Sequence, residues 1–325
     1  MHFRGLDLNL LVALDALLEQ GSVTAAGRKV HLSQSAMSCA LGRLRRHFGD
    51  PLLVSIGRRM EPTPYARQLA APVRSILLQI DASLKGPAGF EPALATRRFT
   101  IAASDYATNV LLLDVQRHCA AAAPQVVLEI MPVTAGSVAA LNRGELDLLI
   151  LPDRYRQAGC PSETLFTDRL VCVAARDSLH SGTAISLKAF KSADHVVFQP
   201  DPQHVIAFDA WLREHYHFEP RVKLYLSNYA LLPQAVVGTT RIATIPARLA
   251  REYARNLPVR ILEPVFRMPP MVEILQWHAA HADDAGLQWL RQVLHERAHA
   301  LGAPPTAQST KARRAARPLK SSAAR

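Results

Sequence analysis

Residues 22–38 read Ser22-Val-Thr-Ala-Ala-Gly-Arg-Lys-Val-His-Leu-Ser-Gln-Ser-Ala-Met-Ser38. Ser22 is placed to cap a short helix over Val23–Val30, His31-Leu32 makes a turn, and Ser33 is placed to cap a second helix. Ala25 and Ala26 are small enough to let two such helices pack closely. That second helix runs to about Phe48 and stops at Gly49-Asp50-Pro51. Upstream, Leu6, Leu8, Leu10, Leu11, Leu14, Leu17 and Leu18 form a mainly helical apolar stripe ending at Gly21. Downstream, 52–54 and 59–61 read as two short strands about Gly57. Three helices and a hairpin make a winged helix-turn-helix, whose second paired helix enters the major groove N-terminal end first.

That geometry assigns roles. Ser33, Gln34, Ser35 and, one turn on, Ser38 face base edges: a glutamine bonds an adenine edge bidentately, and serine bonds bases or phosphate. Thr24, on the preceding helix, joins the DNA-facing set. Arg43, Arg45 and Arg46 sit late on the reading helix within reach of phosphates, and Arg58 and Arg59 sit on the wing, beside a minor groove.

Charge follows the same division. The net charge is +11 over 325 residues. Residues 1–85 hold 11 basic and 6 acidic side chains, residues 86–302 hold 21 of each, and residues 303–325 hold 6 bases and no acid. A basic N-terminal module beside a neutral body suits a polyanion reader attached to something else. The four cysteines have no metal-site or disulfide spacing and fit a reducing cytoplasm. No apolar run is long enough to cross a membrane, and Met1–Asp15 does not read as a signal peptide.

Beyond the hairpin, a helix over 65–84 carries Leu69, Val73, Ile76 and Ile80 at steps of 4, 3 and 4, widened by Leu77 and Leu84. The spacing fits a dimerising helix pair and equally a helix packed on its own domain. A Gly- and Pro-rich hinge covers 85–92. Strands at 98–103, 126–131, 146–151, 170–175, 194–198, 222–226, 241–245 and 272–278 alternate with helices at 110–123, 138–142, 205–215, 229–237 and 286–300. This is the α/β alternation of a parallel sheet with crossover helices. From Gly302 the composition predicts a disordered basic tail, either adding phosphate contacts or solubilising the chain.

Several stretches together resemble the LysR-type transcriptional regulators: Leu6-Asp-Leu-Asn-Leu-Leu11, Ser22-Val-Thr-Ala-Ala26, Leu32-Ser-Gln-Ser-Ala-Met-Ser38, Leu41-Gly-Arg-Leu44, Asp50-Pro-Leu-Leu53 and Glu61-Pro-Thr-Pro64. The likeness is dense over 6–66 and looser to about residue 300. Gly5-Leu-Asp-Leu-Asn-Leu-Leu-Val-Ala-Leu-Asp-Ala-Leu17, Trp277-His278 and Trp289-Leu-Arg291 are similar to the branch of nodulation-gene and naphthalene/salicylate-catabolism regulators. The resemblance implies a DNA-binding domain over 1–64, a dimerising linker and hinge over 65–92, and a coinducer domain over 93–302. The last would be two α/β subdomains like periplasmic binding proteins, about 93–169 with 270–302, and 170–269. The chain would cross between them near 170–175 and return near 265–274.

The resemblance also implies a homodimer or homotetramer on a double-stranded operator, often activating a divergent gene with RNA polymerase, and an aromatic or flavonoid-like coinducer. Its matching positions give base contact to Gln34, Ser35 and Ser38 and a wing role to Arg58. Ser35 stands where many members carry proline, and Cys39 where others carry a larger polar residue.

Ligands of open α/β sheets lie beyond the carboxyl ends of strands. That rule selects Ser104, Asp105 and Tyr106 after the first strand of the body and Thr134 and Ser137 after the second. Phe198, Gln199 and Asn228 would face them; helix capping is the competing role for Ser104 and Asn228. His295-Glu-Arg-Ala-His299 matches the zinc-hydrolase spacing HExxH, but no Asp, Glu or His follows to complete a ligand set. No enzyme and no cofactor is expected, and the HExxH residues are expected on an exposed terminal helix.

Overall fold

The computed structural model describes residues 2–3, 6–56, 59–84, 90–180, 182–200 and 207–304. The chain forms two compact units. One is built on residues 1–89 with 142–145 and 278–287, the other on 90–141, 146–277 and the residues from 288 on.

In the first unit, α1 (Asn9–Gln20) ends at Gly21, whose φ of 56° is left-handed and whose N–H donates to the Leu17 carbonyl. Ser22 caps α2 (Val23–Lys29) by accepting from the Ala25 N–H at 3.3 Å. Ser33 caps α3 (Gln34–Phe48) by accepting from the Ala36 N–H at 3.1 Å, and Gly49 ends it at φ 64°. Leu10, Leu14, Leu17, Ala26, Met37 and Leu44 close the core between them. A Cβ on Gly27 would stand 2.8 Å from the Leu32 carbonyl oxygen, so the turn between α2 and α3 requires glycine there.

The wing pairs β1 (Leu53–Ile56) antiparallel with β2 (Arg59–Pro62). One carboxylate oxygen of Asp50 accepts from the Leu52 N–H at 2.6 Å and the Thr63 hydroxyl at 2.7 Å. Thr63 Oγ1 in turn accepts from the Ala66 N–H and so caps α4 (Pro64–Leu84).

The apolar positions of α4 do not form one seam. Val73 is buried, and Leu69 and Leu77 pack with it on the core of this unit, whereas Ile76 and Ile80 are exposed. Pro72 lies inside α4, where it offers no N–H to the turn before it. Beside it Arg74 pairs with Asp15 and with Glu19, both at 2.7 Å, and Lys29 also reaches Glu19. Burial pushes the Asp15 carboxyl up against the pull of Arg74.

The second unit opens with β3 (Arg98–Ala102), then α5 (Asp105–Ala107), a π-helical turn (Thr108–Leu112) and α6 (Leu113–Ala122) as one helical run. There follow β4 (Val127–Met131), α7 (Ser137–Asn142), β5 (Leu148–Pro152) and the long β6 (Ser162–Ala175). The chain continues through β7 (Ala184–Ile185), α8 (Leu187–Ser192), β8 (Asp194–Phe198), α9 (Ala207–Tyr216) and β9 (Arg221–Leu226). It then forms α10 (Leu232–Val236), β10 (Ile242–Pro246), α11 (Ala247–Asn256), β11 (Val259–Pro264), β12 (Pro270–Gln276) and α12 (Ala285–Ala300).

The strand order is β9-β8-β10-β6-β12-β5-β3-β4, with β11 joined to β6 and β7. The sheet is mixed rather than parallel. β3 is parallel to β4 and β5, and β8 to β9 and β10, but β6 and β12 run against their neighbours. The reason is the double crossing of the chain. The first half of β6 pairs with β12, its second half pairs with β10 and β11, and the chain returns between β11 and β12. Two lobes result, one around β3–β5, the other around β8–β10.

Candidate functional site

On α3, Met37, Ala40, Leu41 and Leu44 turn inward. At about 100° per residue the opposite side carries Ser35, Cys39, Gly42 and Arg46. Gln34, Ser38 and Arg45 lie along one flank, and Arg43 along the other. Ser33, Gln34, Ser35, Ser38, Cys39 and Arg46 are exposed, as is Thr24 in the first turn of α2. Ser33 also has a structural task, since its hydroxyl caps the helix and lies 3.0 Å from that of Ser35.

The three arginines differ. Arg45 donates from Nε to the Pro51 carbonyl at 2.8 Å and from its terminal nitrogen to the Leu53 carbonyl at 2.9 Å, holding the entry to the wing. Arg43 lies 3.5 Å from Asp7. Arg46 extends from the exposed face. Arg58 lies outside the described residues, and of Arg59 only the backbone, the first residue of β2, is described.

The second unit encloses a cavity of about 960 Å³ at the carboxyl ends of β3, β4, β5, β8 and β9, between its lobes. Ser104, Asp105, Thr134, Phe198 and Asn228 line it; Tyr106, Ser137 and Gln199 do not. Tyr106 is fully buried and donates its hydroxyl to Asp168 at 2.7 Å; burial, then Asp168, push that phenol far up. Ser137 is buried and accepts from the Thr134 N–H. The Gln199 backbone N–H donates to the Leu226 carbonyl. Ser104 caps α5 through the Ala107 N–H while lining the cavity. The Asn228 side chain makes no cap.

Asp105 accepts from the Ala230 N–H at 2.8 Å, tying one lobe to the other beside the cavity. Phe198 and Tyr229 stack with centroids 3.8 Å apart and planes 15° from parallel, an aromatic wall. Sequence reasoning missed Arg154, Tyr155, Asp209 and Tyr229 among the lining residues. Tyr155 and Arg154 follow β5, so the strand-end rule that selected Thr134 applied to them as well.

Behind the cavity, Asp168 accepts from Tyr106, from the Arg169 N–H and from the Arg248 N–H. Glu273 on β12 has no such partners: it is fully buried, and among the described residues neither oxygen meets a donor. Burial pushes its carboxyl up to about 8, with Arg154 opposing and Asp168 adding to the shift.

The HExxH residues do not form a zinc site. Among the described residues no group of three or more His, Cys, Asp or Glu is placed to hold a metal. His295 Nε2 lies 2.7 Å from Glu163, which also pairs with Arg291. The helix packs through Leu290, Val293, Leu294 and Ala298, while Glu296 and His299 of the motif are exposed. No described helix is long and apolar enough to cross a membrane.

Residues 8–67 match the family described as bacterial regulatory helix-turn-helix protein, lysR family, and residues 92–299 match the LysR substrate binding domain. The chain is 38% identical over 302 residues to nodulation protein D 1 of Bradyrhizobium elkanii, spanning 93% of this chain and 96% of that one. It is 40% identical over 300 residues to nodulation protein D 2 of Rhizobium meliloti, spanning 92% and 96%. A probable transcriptional regulator from Pseudomonas aeruginosa superposes with a TM-score of 0.62 at 31% identity, covering 90% of this chain and 98% of that structure. Full-length LysG from Corynebacterium glutamicum, solved with bound effector Arg, gives 0.64 at 20% identity over 92% and 100%, a likeness of fold.

Proposed function

This chain belongs to the LysR family of DNA-binding transcriptional regulators, and we propose that it reads an operator through α3 in answer to a small aromatic or flavonoid-like coinducer held between the lobes of its second unit. The observation that carries the reading is the exposed first turn of α3, with Gln34, Ser35 and Ser38 free of the core that Met37 and Leu41 close.

Gln34, Ser35 and Ser38 read bases, Ser33 and Thr24 approach the backbone, and Arg43 and Arg46 reach phosphates. Arg58 and Arg59 on the wing complete the contact. The cavity volume and its aromatic wall support the ligand class, as does the likeness to nodulation proteins D. Exposed Ile76 and Ile80 support pairing of α4 with a second copy, giving a homodimer or homotetramer. The protein acts in the cytoplasm, carries out no catalysis, needs no cofactor and, as an activator, engages RNA polymerase.

The test is a footprint on the DNA upstream of the adjacent, divergently read gene, with and without aromatic compounds. Wild type protects a defined site whose extent changes with ligand. Gln34→Ala weakens specific binding by roughly 1–3 kcal/mol and relaxes one operator position. An unaltered footprint and affinity in that variant would remove Gln34 from base reading.

A further inference from the structure

Asp209 stands in the first turn of α9 and lines the cavity. Its Oδ1 is almost wholly enclosed, yet among the described residues no donor reaches it. Leaving a buried acceptor unpaired is unfavourable, and because Asp209 lines the cavity, a rotation of its carboxylate brings this oxygen to a ligand donor. The nearest cation on the same helix, Arg213, is paired with Glu219 at 3.3 Å. The other carboxylate at the wall, Asp105, already accepts from the Ala230 N–H with one of its oxygens.

The lining is otherwise mostly apolar or aromatic, with Val196, Val197, Phe208 and Pro220 and the stacked Phe198 and Tyr229; Asn228 and Thr244 add neutral polar groups, and Arg154 brings a cation to it. Burial pushes the Asp209 carboxyl up, and Arg213 opposes the shift. Such a wall suits a flat apolar body bearing a hydroxyl hydrogen. At Asp209 itself a ligand carboxylate is disfavoured, since it would bring a second negative charge to a poorly solvated one.

We propose that Asp209 determines the specificity of the cavity: its Oδ1 accepts a hydrogen bond from a phenolic hydroxyl of an uncharged, polyhydroxylated aromatic ligand and turns away aromatic carboxylates. The inference rests on the cavity being the coinducer site.

Three probes of matched size test it by calorimetry on the purified full chain: a dihydroxyflavone, its dimethyl ether and a flavone carboxylic acid. Wild type binds the dihydroxyflavone about tenfold or more tightly than the ether, the size of a charge-assisted hydrogen bond, and binds the acid weakly. Asp209→Ala binds dihydroxyflavone and ether alike and gains affinity for the acid. Asp209→Asn, which keeps an acceptor but no charge, retains part of the preference for hydroxyl. The ratio between probes is the readout, because a disturbed fold weakens all three together. A ratio unchanged in Asp209→Ala overturns the assignment while leaving the cavity as the coinducer site. Failure of wild type to bind any of the three removes the aromatic-coinducer reading and the Asp209 assignment with it.

Discussion

Arg45 and Arg46 are neighbours in sequence and both are basic, which is all that their letters convey. The structure separates them by what each side chain touches. Arg45 bonds two wing carbonyls, at Pro51 and Leu53, while Arg46 extends from the exposed face of α3. Arg45→Ala should therefore lower the melting temperature, with a loss of about 1–2 kcal/mol from two charge-assisted bonds at the surface, and should weaken DNA binding only through a displaced wing. Arg46→Ala should leave the melting temperature unchanged. It should weaken binding to all sequences alike and reduce the salt slope by about one. Melting curves and salt titrations of both variants decide this; equal melting temperatures for Arg45→Ala and wild type would return Arg45 to the phosphate contacts. Gly27 is a second residue whose role was hidden. A glycine inside a helical pattern reads as a weak spot, and only the 2.8 Å approach of its Cβ position to the Leu32 carbonyl shows why it is there.

At the scale of elements, the first unit was legible because its caps are local. Ser22, Ser33, Gly21 and Gly49 act within one turn of their helices, and each helix ends within a residue or so of its signal. The linker helix was less so. Its apolar steps allowed either a partner copy or its own domain, and the structure assigns Leu69, Val73 and Leu77 to the domain. What fastens α4 is also long-range, since Arg74 meets Asp15 and Glu19 across more than fifty residues. Those groups are largely shielded, so removing Arg74 leaves two carboxylates near each other, with Lys29 the cation that answers them among the described residues. Arg74→Ala should cost about 1–3 kcal/mol of stability in the first unit, read by thermal unfolding, with the loss reduced at a pH low enough to protonate Asp15. Equal stability of variant and wild type would show that the apolar contacts alone hold α4. In the second unit α8, α11, β7 and β11 were not read. β7 has two residues and α8 six, and β11 follows Pro258 and ends on Pro264, where loops are the usual expectation.

At the scale of the whole chain, the strands that join the two lobes were half hidden for a physical reason. The second half of β6, Leu170–Ala175, is an unbroken apolar run, but its first half reads Ser162-Glu-Thr-Leu-Phe-Thr-Asp-Arg169. Polar letters suggest a loop, yet Asp168 is buried there with Tyr106 and two backbone N–H groups as donors. Glu273, across on β12, is buried with no donor among the described residues, and this has a consequence for stability. Unfolded, its carboxyl loses a proton near the ordinary glutamate value of 4.5; folded, it holds the proton up to about 8. Between those values the folded state carries the extra proton, so its stability falls as pH rises, by an amount on the order of a few kcal/mol. His195 acts in the opposite direction and in a lower window. Burial lowers its imidazole to about 4, so it opposes folding as pH drops below about 6.5. Above that value, of the two, only Glu273 contributes a slope. Glu273→Gln keeps the shape of the neutral acid and cannot ionise. Its melting temperature between pH 6.5 and 8.5 should therefore decline less steeply than that of wild type, and the variant should be the more stable at the alkaline end. Parallel curves over that range would mean that Glu273 is already ionised in the folded chain, with a donor or cation, Arg154 foremost, drawn in beside it.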